Sequence, residues 1–135
     1  GWEHVIPEFC LRMIESRDSQ FPIQGSGKEK RSFIYIDDFI QGLMTVIDKG
    51  EHLNIYHIGT QEEITMGELA DLVATSLGKD IQVIPGQLQP GSALRRCPDI
   101  QKIQKLGFNP EWSLEKGVHK TADWYRNNLN LKPKD

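Results

Sequence analysis

"PIQGSGKEKRSFIYIDD", Pro22 to Asp38, sets the fold and poses the functional question together. Its first half places Gly25 and Gly27 beside three cations, Lys28, Lys30 and Arg31, as a loop built to hold a phosphate would. Its second half, "RSFIYI" from Arg31 to Ile36, is aromatic and branched on both faces and reads as a buried strand. Asp37 or Asp38 directly after it suits the cap of a helix. Gln20 to Gln24 is short and extended around Pro22, and Gly25-Ser26-Gly27 follows as a turn. The glycine pair follows a strand but opens no helix, so it lacks the helix N-terminus that receives a dinucleotide's pyrophosphate. A tight hairpin, which needs positive backbone angles and nothing more, also accounts for the two glycines. Lys28, Glu29 and Lys30 read as a solvated loop tip of mixed charge. Arg31 differs, because an unpaired guanidinium at the start of a buried strand is costly.

Working outward, apolar residues recur at Ile6, Phe9, Cys10, Met13 and Ile14, a helical stripe with Pro7 in its first turn. After the central strand a second helix carries Phe39, Leu43, Val46 and Ile47 inward and stops near Gly50. "LNIYHIG", Leu53 to Gly59, reads as another buried strand. Thr65 and Glu68 form a capping box ahead of a stripe of Met66, Leu69, Ala70, Val73 and Leu77 that ends at Gly78. "IQVIP", Ile81 to Pro85, is a short strand, and Gly86 to Cys97 is a loop without apolar period. Asp99 caps a short helix through Ile100, Ile103 and Leu106, and Ser113 opens a last helix with Leu114, Val118 and Tyr125 inward. Residues 1–127 form the domain, and 128–135 form a frayed polar tail.

The chain has 135 residues, one domain's worth. Sixteen basic against nineteen acidic residues give a net charge of −3, with no basic run that would track a nucleic-acid backbone. No apolar run is long enough to span a bilayer. Cys10 and Cys97 fit two reduced thiols, and the four histidines are scattered, against a metal site. The opening "GWEHVIPEF" has none of the features of a secretory signal, so a cytoplasmic address is expected.

Four segments in order, "VIPEF" at Val5, "PIQGSGKEKRSFIYIDD", "LNIYHIGTQEEIT" and "RRCPDIQKIQKLGFNPEWSLEKGV", resemble the carboxy-terminal half of the extended short-chain dehydrogenase/reductase family. These are NAD(P)-dependent nucleotide-sugar epimerases, dehydratases and decarboxylases. The resemblance runs from about Val5 to about Tyr125. It implies an α/β fold, a small mixed lobe of short strands with four to five helices, forming the C-terminal portion of a Rossmann-type enzyme. The family's glycine-rich fingerprint and Tyr-x-x-x-Lys pair are missing: Tyr35, Tyr56 and Tyr125 are followed four positions on by Phe39, Thr60 and Leu129. The chain is therefore expected to bind substrate, to hold no catalytic residues, and to be inactive by itself. NAD or NADP would bind the full-length enzyme and not this chain. The implied partners are a nucleoside-diphosphate sugar and a separate amino-terminal Rossmann half, with a homodimer at full length and neither nucleic acid nor membrane. A stand-alone, non-catalytic sugar-nucleotide binding or protein-interaction module is the alternative.

A nucleoside diphosphate calls for forked cations at its phosphates and an extended backbone edge at its base. By the resemblance, Phe21, Pro22, Ile23 and Gln24 run alongside base and ribose, and Val5 contributes from the first helix. Arg31 and Arg96 reach the diphosphate. Phe9 reads as core packing. Arg95 fits a surface salt bridge better, although it stands beside Arg96. Some family members place the second arginine earlier, at the position of Gln89, which cannot supply a charge. Asp37 and Asp38 suit helix capping and the dipole better than paired catalysis.

Overall fold

The structure is a computed structural model that describes residues 2–131. Helix α1 spans Val5–Glu15, strand β1 Gln20–Pro22, β2 Lys30–Ser32, α2 Ile36–Lys49, β3 Glu63–Thr65 and α3 Met66–Ser76. Strand β4 follows at Gln82–Ile84, then β5 Arg95–Arg96, α4 Gln101–Gln104 and α5 Leu114–Asn127. The mixed lobe of short strands and five α-helices is as expected. A 3-10 turn at Leu129–Leu131 occupies part of the expected frayed tail, whose last residues, 132–135, lie outside the described residues.

Helices α1, α3 and α5 pack together through Phe9, Cys10, Met13, Leu69, Val73, Val118 and Ala122, and β1 adds Phe21 and Ile23. The apolar spacing in each helix places these residues on one face, and burying each large one contributes about 1.5–3 kcal/mol. The Thr65–Glu68 capping box forms with both reciprocal bonds, so α3 starts where the sequence puts it. Lys79 donates to the Met13 and Ser16 carbonyls, satisfying the free end of α1. Burial pushes the Cys10 thiol up to about 12, which removes it from thiolate chemistry. A second, smaller core joins Ile100, Ile103 and Phe108 to Ile34, Val46, Tyr56 and Ile58.

Strand β1 pairs in parallel with β4, whereas β2 lies between antiparallel β3 and parallel β5. The two glycines therefore do not close a hairpin, because the strands on either side of them belong to different sheets. Four other expectations are corrected. Only Lys30–Ser32 of the central stretch is a strand, and Ile36 already begins α2. The loop from Gly86 to Cys97 contains β5. Neither Asp37 nor Asp38 is the cap of α2: Tyr35 holds that position with no side-chain bond. Asp38 is buried and instead accepts the Glu111 and Trp112 amides at 3.0 and 2.9 Å, pinning the segment before α5.

The fourth correction concerns α2 and the stretch after it. Phe39, Leu43 and Ile47 were expected inward, yet they are exposed together with Ile36, Ile40 and Met44. The inward face is Asp38, Gly42 and Val46, and a Cβ at Gly42 would lie 2.5 Å from Ile58. Leu53 is 91% exposed with φ +59°, and Ile55 is 78% exposed. From Ile55 to Ile58 burial alternates with the period of a strand, Tyr56 and Ile58 inward, but among the described residues the segment joins no sheet.

Candidate functional site

A cleft of about 1230 Å³ opens between α1 and the two sheets. Helix α1 contributes Val5, Glu8, Phe9 and Arg12, β1 and the two residues after it contribute Pro22, Ile23 and Gln24, and β2 and β5 contribute Arg31 and Arg96. Ile34 lines it from the link between β2 and α2, and Tyr56, His57, Ile58 and Gly59 from the unpaired segment and the residue after it. Six of the seven expected site residues therefore share one cleft. Phe21 does not line it: burial alternates from Phe21 to Gln24, so Phe21 turns into the core against Phe9 and Pro22 and Gln24 turn outward. Ile23, also buried, reaches the cleft only in part. Gln89 is not a lining residue, whereas its neighbours Leu88 and Ser92 are.

The turn after β1 is fixed from inside. Gly25 and Gly27 have φ of +81° and +82°, where a side chain is strained. The Glu29 carboxylate accepts from the Ser26 amide at 3.0 Å, the Ser26 hydroxyl at 2.9 Å and the Gly27 amide at 3.0 Å. These bonds, the Ser26 amide foremost, hold the carboxyl below the usual range. Glu29 is thus a buried anchor, and its reading as part of a solvated loop tip is corrected. The Gly25 amide donates to the Gln87 carbonyl. With these amides engaged and the chain continuing into a strand, the turn does not fit a dinucleotide's pyrophosphate.

The ladder between β2 and β5 is unusual in composition. Its register sets Lys30 against Arg95 and Arg31 against Arg96, so every pair joins two cations. Like charges across a ladder are destabilising unless compensated. Glu63 compensates the first pair: its carboxylate takes Arg95 through two 2.8 Å bonds, and this lowers its own proton affinity. The Arg31 guanidinium bonds the carbonyls of Lys30 and Ala93, at 2.8 and 2.7 Å, and the Arg96 side chain has no hydrogen-bond or ion-pair partner among the described residues. The Arg31–Arg96 pair faces the cleft with no carboxylate bonded to it. Alternation along β5 thus separates the two adjacent arginines, one to a surface ion pair and one to the cleft.

Sequence reasoning missed Arg12. Its Nη1 donates to Glu8 at 2.8 Å, its Nη2 to the Pro22 carbonyl at 2.5 Å, and its guanidinium carbon lies 4.3 Å from the centre of the Phe21 ring. The Glu8–Arg12 spacing, four positions apart on a helix, was the available signal, but it also fits an ordinary surface pair.

Among known proteins, a family model described as GDP-mannose 4,6 dehydratase matches residues 2–121. The mouse dTDP-D-glucose 4,6-dehydratase is 32% identical over 135 residues, covering 95% of this chain and 38% of that protein. The crystal structure of the dTDP-glucose 4,6-dehydratase DesIV of Streptomyces venezuelae, with NAD bound, superposes at a TM-score of 0.86 with 33% identity, over 96% of this chain and 40% of that one. A UDP-glucose 4-epimerase from Thermotoga maritima, solved with UDP-glucose, gives 0.85 with 28% identity, over 96% and 41%. The chain belongs to the extended short-chain dehydrogenase/reductase family of nucleotide-sugar dehydratases and epimerases. It spans about two fifths of the length of these relatives. No helix among the described residues is long and apolar enough to cross a membrane.

Proposed function

We propose that this chain is the substrate-holding part of an NAD(P)-dependent nucleotide-sugar dehydratase or epimerase, and that its cleft receives the nucleoside diphosphate of an activated sugar. The observation that carries the reading is the Arg31–Arg96 pair, two forked cations side by side in a cleft with no carboxylate bonded to either. A diphosphate supplies the missing negative charge, and charge-assisted bonds to forked donors are the strong ones. The outward edge of Pro22 and Gln24, with Val5 opposite, then lies along base and ribose. The chemistry belongs to a second, cofactor-binding half, and the chain alone turns nothing over. The exposed stripe of α2 and the unpaired Leu53–Ile58 segment favour such a partner, because both leave large apolar side chains uncovered and the segment runs into the cleft wall at Tyr56 to Gly59.

The test is calorimetric titration of the full-length polypeptide that carries this chain with uridine and thymidine diphosphates and with the bare nucleosides. Arg31→Ala and Arg96→Ala should each weaken diphosphate binding by about ten- to a hundredfold, the worth of one charge-assisted contact. Nucleoside binding should change little. The double variant should depart from additivity, since both donors serve one group. Equal losses for nucleoside and diphosphate would remove the arginines from the phosphate site.

A further inference from the structure

Arg12 is held on three sides. Its two terminal nitrogens are bonded in the guanidinium plane, one to the Glu8 carboxylate and one to the Pro22 carbonyl. One face of the plane covers the Phe21 ring at 4.3 Å. Yet the side chain keeps 36% of its surface exposed and lines the cleft, and Phe21 is the only ring over its guanidinium among the described residues. Its charge is already met by Glu8, whereas no carboxylate is bonded to Arg31 or Arg96. That makes it a poor phosphate ligand, unlike Arg31 and Arg96. What remains is a flat, rigid, delocalised cation whose position is fixed before any ligand arrives, at low entropic cost.

We infer that Arg12 is a stacking platform for the aromatic base of the bound nucleotide, the middle layer of a Phe21–Arg12–base stack. This rests on the nucleotide reading above and extends it to a residue outside the phosphate clamp. A guanidinium between two rings is attracted to both π faces, and the contact accepts any flat base. Arg12 also occupies the Pro22 carbonyl, which otherwise would be an open acceptor on the strand edge beside the base. Recognition at this end of the cleft is therefore by stacking over Arg12, with edge contacts restricted to Gln24, whose main-chain groups are free of internal hydrogen bonds among the described residues.

The experiment uses the full-length polypeptide carrying this chain, with Arg12→Lys and Arg12→Gln, titrated with uridine diphosphate and with inorganic pyrophosphate. Arg12→Lys keeps the charge and can still reach the Pro22 carbonyl, but it has no plane. It should bind uridine diphosphate about tenfold more weakly, the worth of a desolvated cation–π contact, with pyrophosphate affinity unchanged. The near-ultraviolet difference spectrum of the bound nucleotide should also diminish. Because the ratio of the two affinities is read within each variant, a partly unfolded preparation would lower both alike without mimicking the effect. Wild-type affinity for uridine diphosphate in Arg12→Lys overturns the inference, and so does an equal loss for both ligands. If the wild type binds neither ligand, the nucleotide reading itself fails and this inference goes with it. If binding depends on Arg31 and Arg96 but not on Arg12, this inference alone fails.

Discussion

At the scale of single residues, the Glu29 carboxylate, 4% exposed, determines the shape of the turn that connects the two sheets. A Cβ at Gly25 would sit 2.8 Å from that carboxylate and at φ +81°, so both the backbone and the space demand glycine. Glu29→Ala would leave the Ser26 and Gly27 amides without their acceptor and should destabilise the fold by about 2 kcal/mol in denaturant titration. The sign of the pH effect follows from the lowered proton affinity. Its stabilisation is fully present above the ordinary carboxyl value of 4.5 and is lost as the pH falls through the lower folded-state value. Glu63 and Glu68, lowered by Arg95 and by Thr65 respectively, act in the same direction. Glu29→Gln should therefore flatten the acid limb of the stability profile without abolishing it, and an unchanged limb would show that the turn does not depend on this charge. The positive backbone angles of the two glycines and the place of Arg31 in a strand were legible in the sequence. The role of Glu29 was not, since a carboxylate between two lysines looks solvated until the turn folds back over it.

At the scale of elements, α2 shows where pattern reading succeeds and where it misleads. The apolar spacing of Phe39, Leu43 and Ile47 correctly indicates a helix with a face to bury. It does not say what lies against that face, and within the described residues the face stands exposed. The "LNIYHIG" segment reads as a strand for the same reason: apolar residues on both faces suit a sheet, but among the described residues no strand pairs with it. The capping box of α3 needed only four adjacent residues and was fully legible. The choice between Arg95 and Arg96 needed the β2–β5 register, which joins distant parts of the sequence. If the α2 stripe is a docking face, Ile40→Glu combined with Met44→Lys should leave the melting temperature of the isolated chain within a few degrees of wild type, because neither side chain packs in the core. The same pair should reduce dye binding and self-association measured by sedimentation, and should prevent assembly of the full-length polypeptide. A large drop in melting temperature would place these residues in the core instead.

At the scale of the whole molecule, two cores flank a cleft whose walls come from both sheets, from α1 and from an unpaired segment. The mixed α/β character was legible because the helix caps and glycine turns are local. The partition into two sheets was not, because β1 and β2 are separated by only a short turn yet take partners far along the chain. The cationic β2–β5 ladder also couples folding to the salt in the surrounding solution. With Arg31 facing Arg96 and no acid bonded to either, the folded lobe carries a local repulsion that the unfolded chain relaxes by separating the two residues. Screening shortens the reach of that repulsion to about 8 Å at 0.15 M ionic strength. A multivalent anion that binds only the folded form adds stability in proportion to the logarithm of its concentration. The melting temperature should rise on adding millimolar pyrophosphate well beyond the rise produced by chloride at the same ionic strength, and Arg96→Ala should erase the difference. Equal effects of the two anions would mean that the pair senses only bulk screening. Otherwise the free lobe is the less stable state, and occupancy of its cleft acts as a thermodynamic lock that holds β2 and β5 together within their sheet.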